Sequence, residues 1–222
     1  MSLPAAALLD ELELDALTEV VNVGVSRAAA SLRDMVGDQV LLSVPSVAIV
    51  SREDAAKLIG DGDADRLVAV HQTFEGDISG RALLIFPETN SLELVRAITG
   101  GELPLDNIIE LEQEALAETG NIILNGCLAT IANMLQRSLK MSLPEIVRGN
   151  GPVFFNLSGG TGSEDVVLFL YIDFSVKERD IRGYIAMLMD LPALEALKLL
   201  LRQLIRRAAG EPEETEAIHA AR

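Results

Sequence analysis

The chain begins with a long segment in which apolar residues recur at helical spacing. The regularly spaced apolar positions are Leu9, Leu12, Ala16, Val20 and Val23. This pattern predicts one amphipathic helix over about 8–36, because residues three or four apart share a helix face. Gly37 follows as a residue type that favours helix termination in the left-handed conformation.

Beyond Gly37 the pattern changes to short segments separated by chain breakers. β-Branched residues over about 39–50 predict a strand that is bent at Pro45, since proline cannot donate to a sheet ladder. The next segment predicts a short helix over 51–59 capped by Ser51. Two strands follow over about 66–74 and 78–86, joined at Gly76-Asp77. The unit closes with a helix from Ser91 to Thr99, capped by Asn90 with Glu93 in a capping-box position.

The whole arrangement recurs 99 residues later. Three marks of the first unit return at that offset, with Glu19, Asn22 and Pro45 matched by Glu118, Asn121 and Pro144. A constant offset through three marks indicates a duplicated unit. The second unit predicts a helix over about 107–140, an irregular strand region over 144–156, a glycine- and serine-rich loop over 158–163, strands over about 165–175 and 182–190, and a helix over about 193–209.

Two units of this order predict an α+β fold. The hairpin connections favour a largely antiparallel sheet, so we expect two three-stranded halves to form one six-stranded, pseudo-two-fold symmetric sheet with the long helices packed on it. We expect one domain over 1–222, with repeats at about 8–101 and 106–209 and an acidic tail at 210–222. The connection over 102–106 is too short for a flexible linker between separate domains.

Composition narrows the class of protein. The net charge is −16 and the pI is about 4.5, so the chain lacks the basic face of a nucleic-acid binder and repels anionic lipid. Lysine occurs at only four positions, and such acidity fits a halophilic protein adapted to high salt. The single cysteine, Cys127, permits no intramolecular disulfide. With no signal-peptide pattern and no apolar run of roughly 18 residues, we expect a cytoplasmic protein without membrane insertion.

A polar stripe follows each predicted long helix. The first stripe is Asp15, Glu19, Asn22 and Ser26, and the second, at matching positions, is Glu114, Glu118, Asn121 and Asn125. One Glu-x-x-Asn pair is most often a solvated helix face. Its duplication favours a functional surface. Asparagine is a poor residue for a helix interior, so an asparagine that only faced solvent would be replaced rather than kept at matching positions of both repeats.

These stripes resemble the motif of the CheC/CheX/FliY family of response-regulator phosphatases. That motif is Asp or Ser, three residues, Glu, two residues, Asn, and then Pro after about 22 residues. The first unit matches it from Asp15 to Pro45, whereas the second carries Glu114 in the leading place. Gly120 matches the family's Gly-Asn-Ile core, and Val21 replaces that glycine in the first unit. Two motifs in one chain resemble CheC; CheX is shorter and carries one.

The resemblance implies a chemotaxis phosphatase that hydrolyses the aspartyl phosphate of a CheY-like response regulator. Asn22 and Asn121 would orient water, Glu19 and Glu118 would hold the regulator through its lysine, and Asp15, Ser26, Glu114 and Asn125 would contact the partner. An acyl phosphate is already activated, so a placed water suffices without a protein nucleophile. No cofactor of the chain's own is expected, because the regulator would carry Mg²⁺. We expect the Glu118 and Asn121 pair to be the stronger one.

The main alternative is a non-catalytic chemotaxis adaptor that binds phospho-CheY, the receptor deamidase CheD, or both. A CheC-like chain with both half-sheets is expected to be a monomer.

Other chemistries have little support. Cys127 lies among apolar helix residues, the two histidines His71 and His219 form no metal cluster or triad, and the loop over 158–163 lacks the lysine of a P-loop. The leucine-rich segment over 194–205 predicts a core-facing helix.

Overall fold

The computed structural model describes residues 8–37, 39–59, 66–99, 105–156, 166–176 and 179–210. Along the chain its elements are α1 (Glu11–Val36), β1 (Val40–Ser51), α2 (Arg52–Ile59), β2 (Leu67–Gly76), β3 (Gly80–Pro87), α3 (Glu88–Thr99), α4 (Leu105–Met134), β4 (Leu139–Met141), β5 (Glu145–Gly149), α5 (Gly151–Asn156), β6 (Val166–Val176), β7 (Arg179–Met189) and α6 (Leu191–Ala208). The predicted loop over 158–163, residues 102–104 of the connection between the repeats and residues 211–222 of the predicted tail lie outside the described residues.

The first long helix begins and ends where its sequence supplies caps. The Asp10 side chain accepts a hydrogen bond from the Glu13 backbone N–H at 2.8 Å, and the Glu13 carboxylate accepts one from the Asp10 N–H at 2.9 Å. This reciprocal capping box satisfies two backbone donors that the first turn leaves unpaired. Gly37 closes the helix with φ 68°, the left-handed conformation predicted for it.

The strands form one antiparallel sheet, in the order β1-β6-β7-β3-β2-β4, with β5 also paired to β2. The hairpin of each unit thus pairs at its outer edge with the first strand of the other unit, and the two hairpins meet at β3 and β7. This exchange makes the sheet pseudo-two-fold symmetric. The predicted α+β class and antiparallel sheet are confirmed, but each half-sheet mixes strands of both units, and the short β4 adds a seventh strand.

The two faces of the sheet carry separate apolar layers. On one face α1 and α4 pack against each other and against the strands, with α3 and α6 at their sides. The opposite face is covered by the short helices α2 and α5. Both polar stripes therefore belong to the same layer of the molecule, on helices whose apolar sides are buried.

Several predicted boundaries are wrong for identifiable reasons. α3 begins at Glu88, so Asn90 lies inside the helix rather than at its cap, and Glu93 pairs with Arg96 at 2.9 Å. α4 ends at Met134 instead of about 140, because Gln136 turns the chain with φ 57° and Leu139–Met141 then pairs with β2. The region 144–156 also contains a short helix, α5, that the apolar pattern did not predict.

One described helix segment, Leu111–Met134 of α4, is long and apolar enough to cross a membrane by length and composition alone. Its 18-residue apolar window is 56% buried inside the fold. The core helix of a soluble protein passes the same test, and α4 makes its contacts with α1 and the sheet. The apolar character of α4 is therefore accounted for by its packing.

Candidate functional site

Both prolines of the repeated motif lie at an irregularity in the first strand of their unit. The pairing of β1 with β6 shifts register between Ser43 and Ser46, which places Pro45 in a bulge. In the second unit, β4 and β5 pair with β2 on either side of residues 142–144, which places Pro144 at the end of an equivalent break. Such breaks bend a strand and remove ladder bonds, and proline tolerates them because it has no N–H to pair.

Each long helix presents its Glu-x-x-Asn motif with the carboxylate in solvent and the carboxamide at the edge of the core. Glu19 and Glu118 are exposed, whereas Asn22 and Asn121 are half-buried. Of the flanking residues predicted to contact a partner, Asp15, Ser26 and Glu114 are exposed and Asn125 is half-buried. The structure thus brings together on one helix face all four residues of each predicted stripe.

The second motif is held by a network of amide hydrogen bonds. Gln72 on β2 donates through Nε2 to the Asn121 Oδ1 at 3.2 Å and to the Ser142 backbone oxygen at 2.9 Å. Asn125 donates through Nδ2 to the same Asn121 oxygen at 2.7 Å. Both lone pairs of that oxygen are then occupied, so the Asn121 amide nitrogen is the part of the group left for an outside acceptor.

Ser142 ties this network to the strand break. Its backbone N–H donates to the Thr73 oxygen at 2.9 Å, and its hydroxyl accepts from the Thr73 N–H at 3.0 Å. Ser142 is therefore fixed to β2 on one side and, through Gln72, to Asn121 on the other. In the second motif, the asparagine on the helix is thus connected by hydrogen bonds to the strand break that contains the proline.

The first motif has different surroundings. It lines a shallow depression formed by Glu19, Asn22, Val23, Ser26, Arg27 and Ala30. Within the described part of the chain, no hydrogen bond holds the Asn22 carboxamide. No described residue occupies its oxygen or its nitrogen, so both can serve a partner molecule. Arg27 adds a cation to this depression, whereas the matching position in the second motif is Gly126.

Three substitutions between the repeats account for this difference, and the first is the exposed Ser26 at the position that matches Asn125. A Cβ built on Gly120 would lie 2.4 Å from Cγ1 of Val70, so α4 touches β2 directly beside Asn121. In α1 the same place is taken by the fully buried Val21. Gln72 on β2 lies opposite the strand break of the second unit and faces the helices. The corresponding place on β6, opposite the break at Pro45, is taken by the apolar Ile172. Gln72 thus puts an amide beneath Asn121, where Ile172 puts an apolar side chain in the other half of the sheet.

The other titratable groups do not extend the site. Cys127 is fully buried where α1 and α4 pack together, as predicted, and burial raises the pKa of its thiol to about 12. His71 lies on the opposite face of β2 from Gln72, with Nδ1 3.6 Å from a Glu145 carboxylate oxygen. Burial and the nearby Arg81 lower the pKa of His71, while Glu145 acts in the opposite direction. Among the described residues, no group of His, Cys, Asp or Glu could hold a metal ion.

Sequence reasoning missed Gln72 and Ser142. A signal for Gln72 was present, because β2 alternates inward apolar residues and Gln72 occupies one of those inward places between Val70 and Phe74. A polar residue at an inward strand position requires a partner in the core. Ser142 could not be found in this way, because it bonds to Gln72 through its backbone oxygen.

Comparison with known proteins shows which proteins this chain is similar to. No family model matches the chain. It is 24% identical over 141 residues to the CheY-P phosphatase CheC of Bacillus subtilis, covering 62% of this chain and 67% of that protein. It is 20% identical over 193 residues to the CheC1 protein of Halobacterium salinarum, covering 86% of this chain and 97% of that protein. These relatives confirm the resemblance to the CheC/CheX/FliY family.

Solved structures show the same fold in this family and in flagellar proteins. The crystal structure of Thermotoga maritima FliY aligns with a TM-score of 0.67 and 17% identity, over 88% of this chain and 98% of that one. The FliM middle domain of Vibrio alginolyticus aligns with a TM-score of 0.60 and 14% identity, over 85% and 99%. At these identities the likeness shows the fold alone, whereas the CheC-named relatives support a chemotaxis role of the CheC kind.

Proposed function

We propose that the chain binds a phosphorylated CheY-like response regulator and hydrolyses its aspartyl phosphate. The observation that carries this proposal is the pairing, twice in one molecule, of an exposed glutamate with a half-buried asparagine one helical turn away. The B. subtilis relative is named for the same activity on CheY-P. A fold shared with the FliM middle domain does not by itself establish hydrolysis, so the proposal depends on these side chains.

The chemistry needs little from the phosphatase. A water oxygen attacks phosphorus as the bond between phosphorus and the aspartyl oxygen breaks, and the electron pair of that bond leaves on the aspartate carboxylate. One water proton stays on the new phosphate and the other passes to solvent or to a phosphate oxygen. An amide that donates to this water, or accepts from it, restricts its approach to the line of attack.

The glutamates have a different task in this proposal. Glu19 and Glu118 are exposed, and each lies one turn before its asparagine, so a cation of the regulator could reach the carboxylate while the carboxamide reaches the phosphoryl group. We assign Asp15, Ser26 and Glu114 to the contact surface around them. Asn125 has a second role, because its amide already bonds to Asn121. The Mg²⁺ that neutralises developing charge would belong to the regulator.

The test is phosphate loss from a phosphorylated cognate regulator, measured with the intact chain at several salt concentrations. Asn22→Ala and Asn121→Ala should each lower the rate, and the double substitution should reduce it to the regulator's own hydrolysis. At its own motif, removal of one positioned hydrogen-bonding group typically costs about 10²–10³-fold in kcat, and each single variant keeps the contribution of the other motif. Asn133→Ala, an exposed asparagine near the end of α4, is the matched control and should retain the wild-type rate.

The outcomes separate a phosphatase from a non-catalytic adaptor. Wild-type hydrolysis in the double variant would overturn the assigned mechanism. Binding of the phosphorylated regulator without any acceleration by the wild-type chain would instead establish an adaptor. Addition of the CheD deamidase to the same assay would show whether that protein binds or alters the rate.

A further inference from the structure

Gln72 is a buried amide in an otherwise apolar strand face. Its side chain is fully buried, between the equally buried Val70 and Phe74. Among the described residues its Oε1 has no hydrogen-bond partner, which costs stability in a dry environment. The matching place in the other half of the sheet is filled by Ile172, so the fold itself does not require an amide there. Stability alone would favour an apolar residue at position 72.

The arrangement of the Gln72 donors points to a different purpose. One Nε2 reaches both the Asn121 oxygen and the Ser142 backbone oxygen, at 3.2 and 2.9 Å. Asn125 supplies the second hydrogen bond to the Asn121 oxygen. Two of these contacts hold the oxygen of the Asn121 carboxamide, and the third ties Gln72 itself to the strand break. Gly120 permits this contact because a side chain there would collide with Val70.

We propose that Gln72 is a positioning residue for the second motif, one that orients the Asn121 carboxamide before the regulator binds. This inference rests on the proposed function of Asn121. With its oxygen occupied, Asn121 acts through its Nδ2 hydrogens, as a preset donor to the attacking water or to a phosphoryl oxygen. Asn22 has no such hydrogen bond from any residue that the structure describes, so it can donate or accept and is oriented by the partner. The two motifs then differ in mechanism, and preorganisation belongs to the second.

The decisive experiment isolates the second motif. In an Asn22→Ala background, Gln72→Leu should lower kcat by about 10- to 100-fold, the scale expected when a reacting group loses its alignment. The KM for the regulator should change little, because Gln72 is buried and cannot touch the partner. Thr119→Val in the same background is the matched control, since it removes a buried polar atom that bonds to no described residue. It should retain both kcat and KM.

A double-mutant cycle tests whether Gln72 acts through Asn121. In an Asn121→Ala chain that keeps Asn22, the first motif still supplies measurable hydrolysis, and Gln72→Leu should cause no further loss there, because a residue that works through another has no further effect after its removal. An equal loss of rate in both backgrounds would overturn the proposal, as would an unchanged kcat in the Asn22→Ala background. Wild-type hydrolysis by the Asn22→Ala, Asn121→Ala double variant would instead overturn the role that the proposed function gives to the two asparagines.

A spectroscopic measurement keeps the inference testable without activity. In the wild-type chain, the side-chain NH₂ signals of Gln72 and Asn125 should exchange with water far more slowly than those of the exposed Gln136. Gln72→Leu should shift the NH₂ signals of Asn121 and Asn125, and its Tm should equal or exceed that of the wild type. Should the leucine variant fail to fold, Gln72→Met offers a more flexible replacement. Rapid exchange of the Gln72 amide in the wild type would contradict the network.

Discussion

Gly120 rests on Val70 so closely that a Cβ at this glycine would lie 2.4 Å from the Val70 Cγ1. Real carbon atoms do not approach to that distance, so the glycine sets the separation of α4 from β2. Asn121 is the next residue, and its oxygen lies within hydrogen-bond reach of Gln72 only because the helix comes this near. The glycine of the family motif therefore has a steric role in this chain.

Gly120→Ala should destabilise the fold by about 1–3 kcal/mol, the usual cost of overpacking a tight interior. This loss should outweigh the gain of roughly 1 kcal/mol that alanine brings to a helix interior. Gly126→Ala is the control, because its Cβ would meet the Ala28 Cβ at the more tolerable distance of 3.1 Å. Denaturant unfolding measures both. Equal stability of the two variants would mean that the contact with Val70 does not restrain α4.

The capping box at the start of α1 should contribute to stability without affecting either motif. Asp10→Ala removes the acceptor of the Glu13 N–H bond and should lower the free energy of unfolding by about 1 kcal/mol. Asp34→Ala, at the other end of the same helix, is the control, since an exposed acid near a helix C-terminus gains nothing from the helix dipole. Thermal unfolding compares them, and a Tm for Asp10→Ala as high as that of Asp34→Ala would contradict the assignment.

The local features of this fold could be predicted from the sequence because each depends on neighbouring residues. Helix spacing places Asp15, Glu19 and Asn22 on one face, and the structure confirms that face. Gly37 ends α1 as its residue type predicts. The bend at Pro45 follows from the missing N–H of proline, and it is present as a register shift. The repeat offset of 99 then transfers the same expectations to the second unit.

The features that could not be predicted depend on contacts between distant segments. Both hairpins and both first strands carry inward apolar residues, so the pattern alone does not choose which strand pairs with which. The exchange of first strands between units decides that α4 lies over β2, and only this places Gln72 beneath Asn121. The end of α4 at Met134 similarly depends on a strand partner for residues 139–141.

His71 should make the fold less stable as the pH falls. Its pKa is lowered by burial and by Arg81, so the unfolded chain takes up a proton near pH 6.5 while the folded chain does not. Stability is then lost as the pH decreases from about 7 through 6.5 toward the lower folded-state pKa. His71→Leu should flatten this dependence, and Glu145→Gln should steepen it, because Glu145 favours the charged form. Urea unfolding at pH 7 and pH 5 measures the slopes, and identical slopes in wild type and His71→Leu would contradict the prediction.

The two glutamates should act on regulator binding rather than on the chemical step. Glu19→Gln and Glu118→Gln each remove an exposed charge beside an asparagine, so we expect KM to rise at low salt while kcat is retained. The difference from wild type should shrink as salt rises, because ions screen exposed charges beyond about 10 Å at 0.1 M. Glu53→Gln changes the net charge equally, but it lies on α2, which packs on the opposite face of the sheet. An equal rise of KM in Glu53→Gln would show that only the overall negative charge matters, and that neither motif carries a specific contact for the regulator.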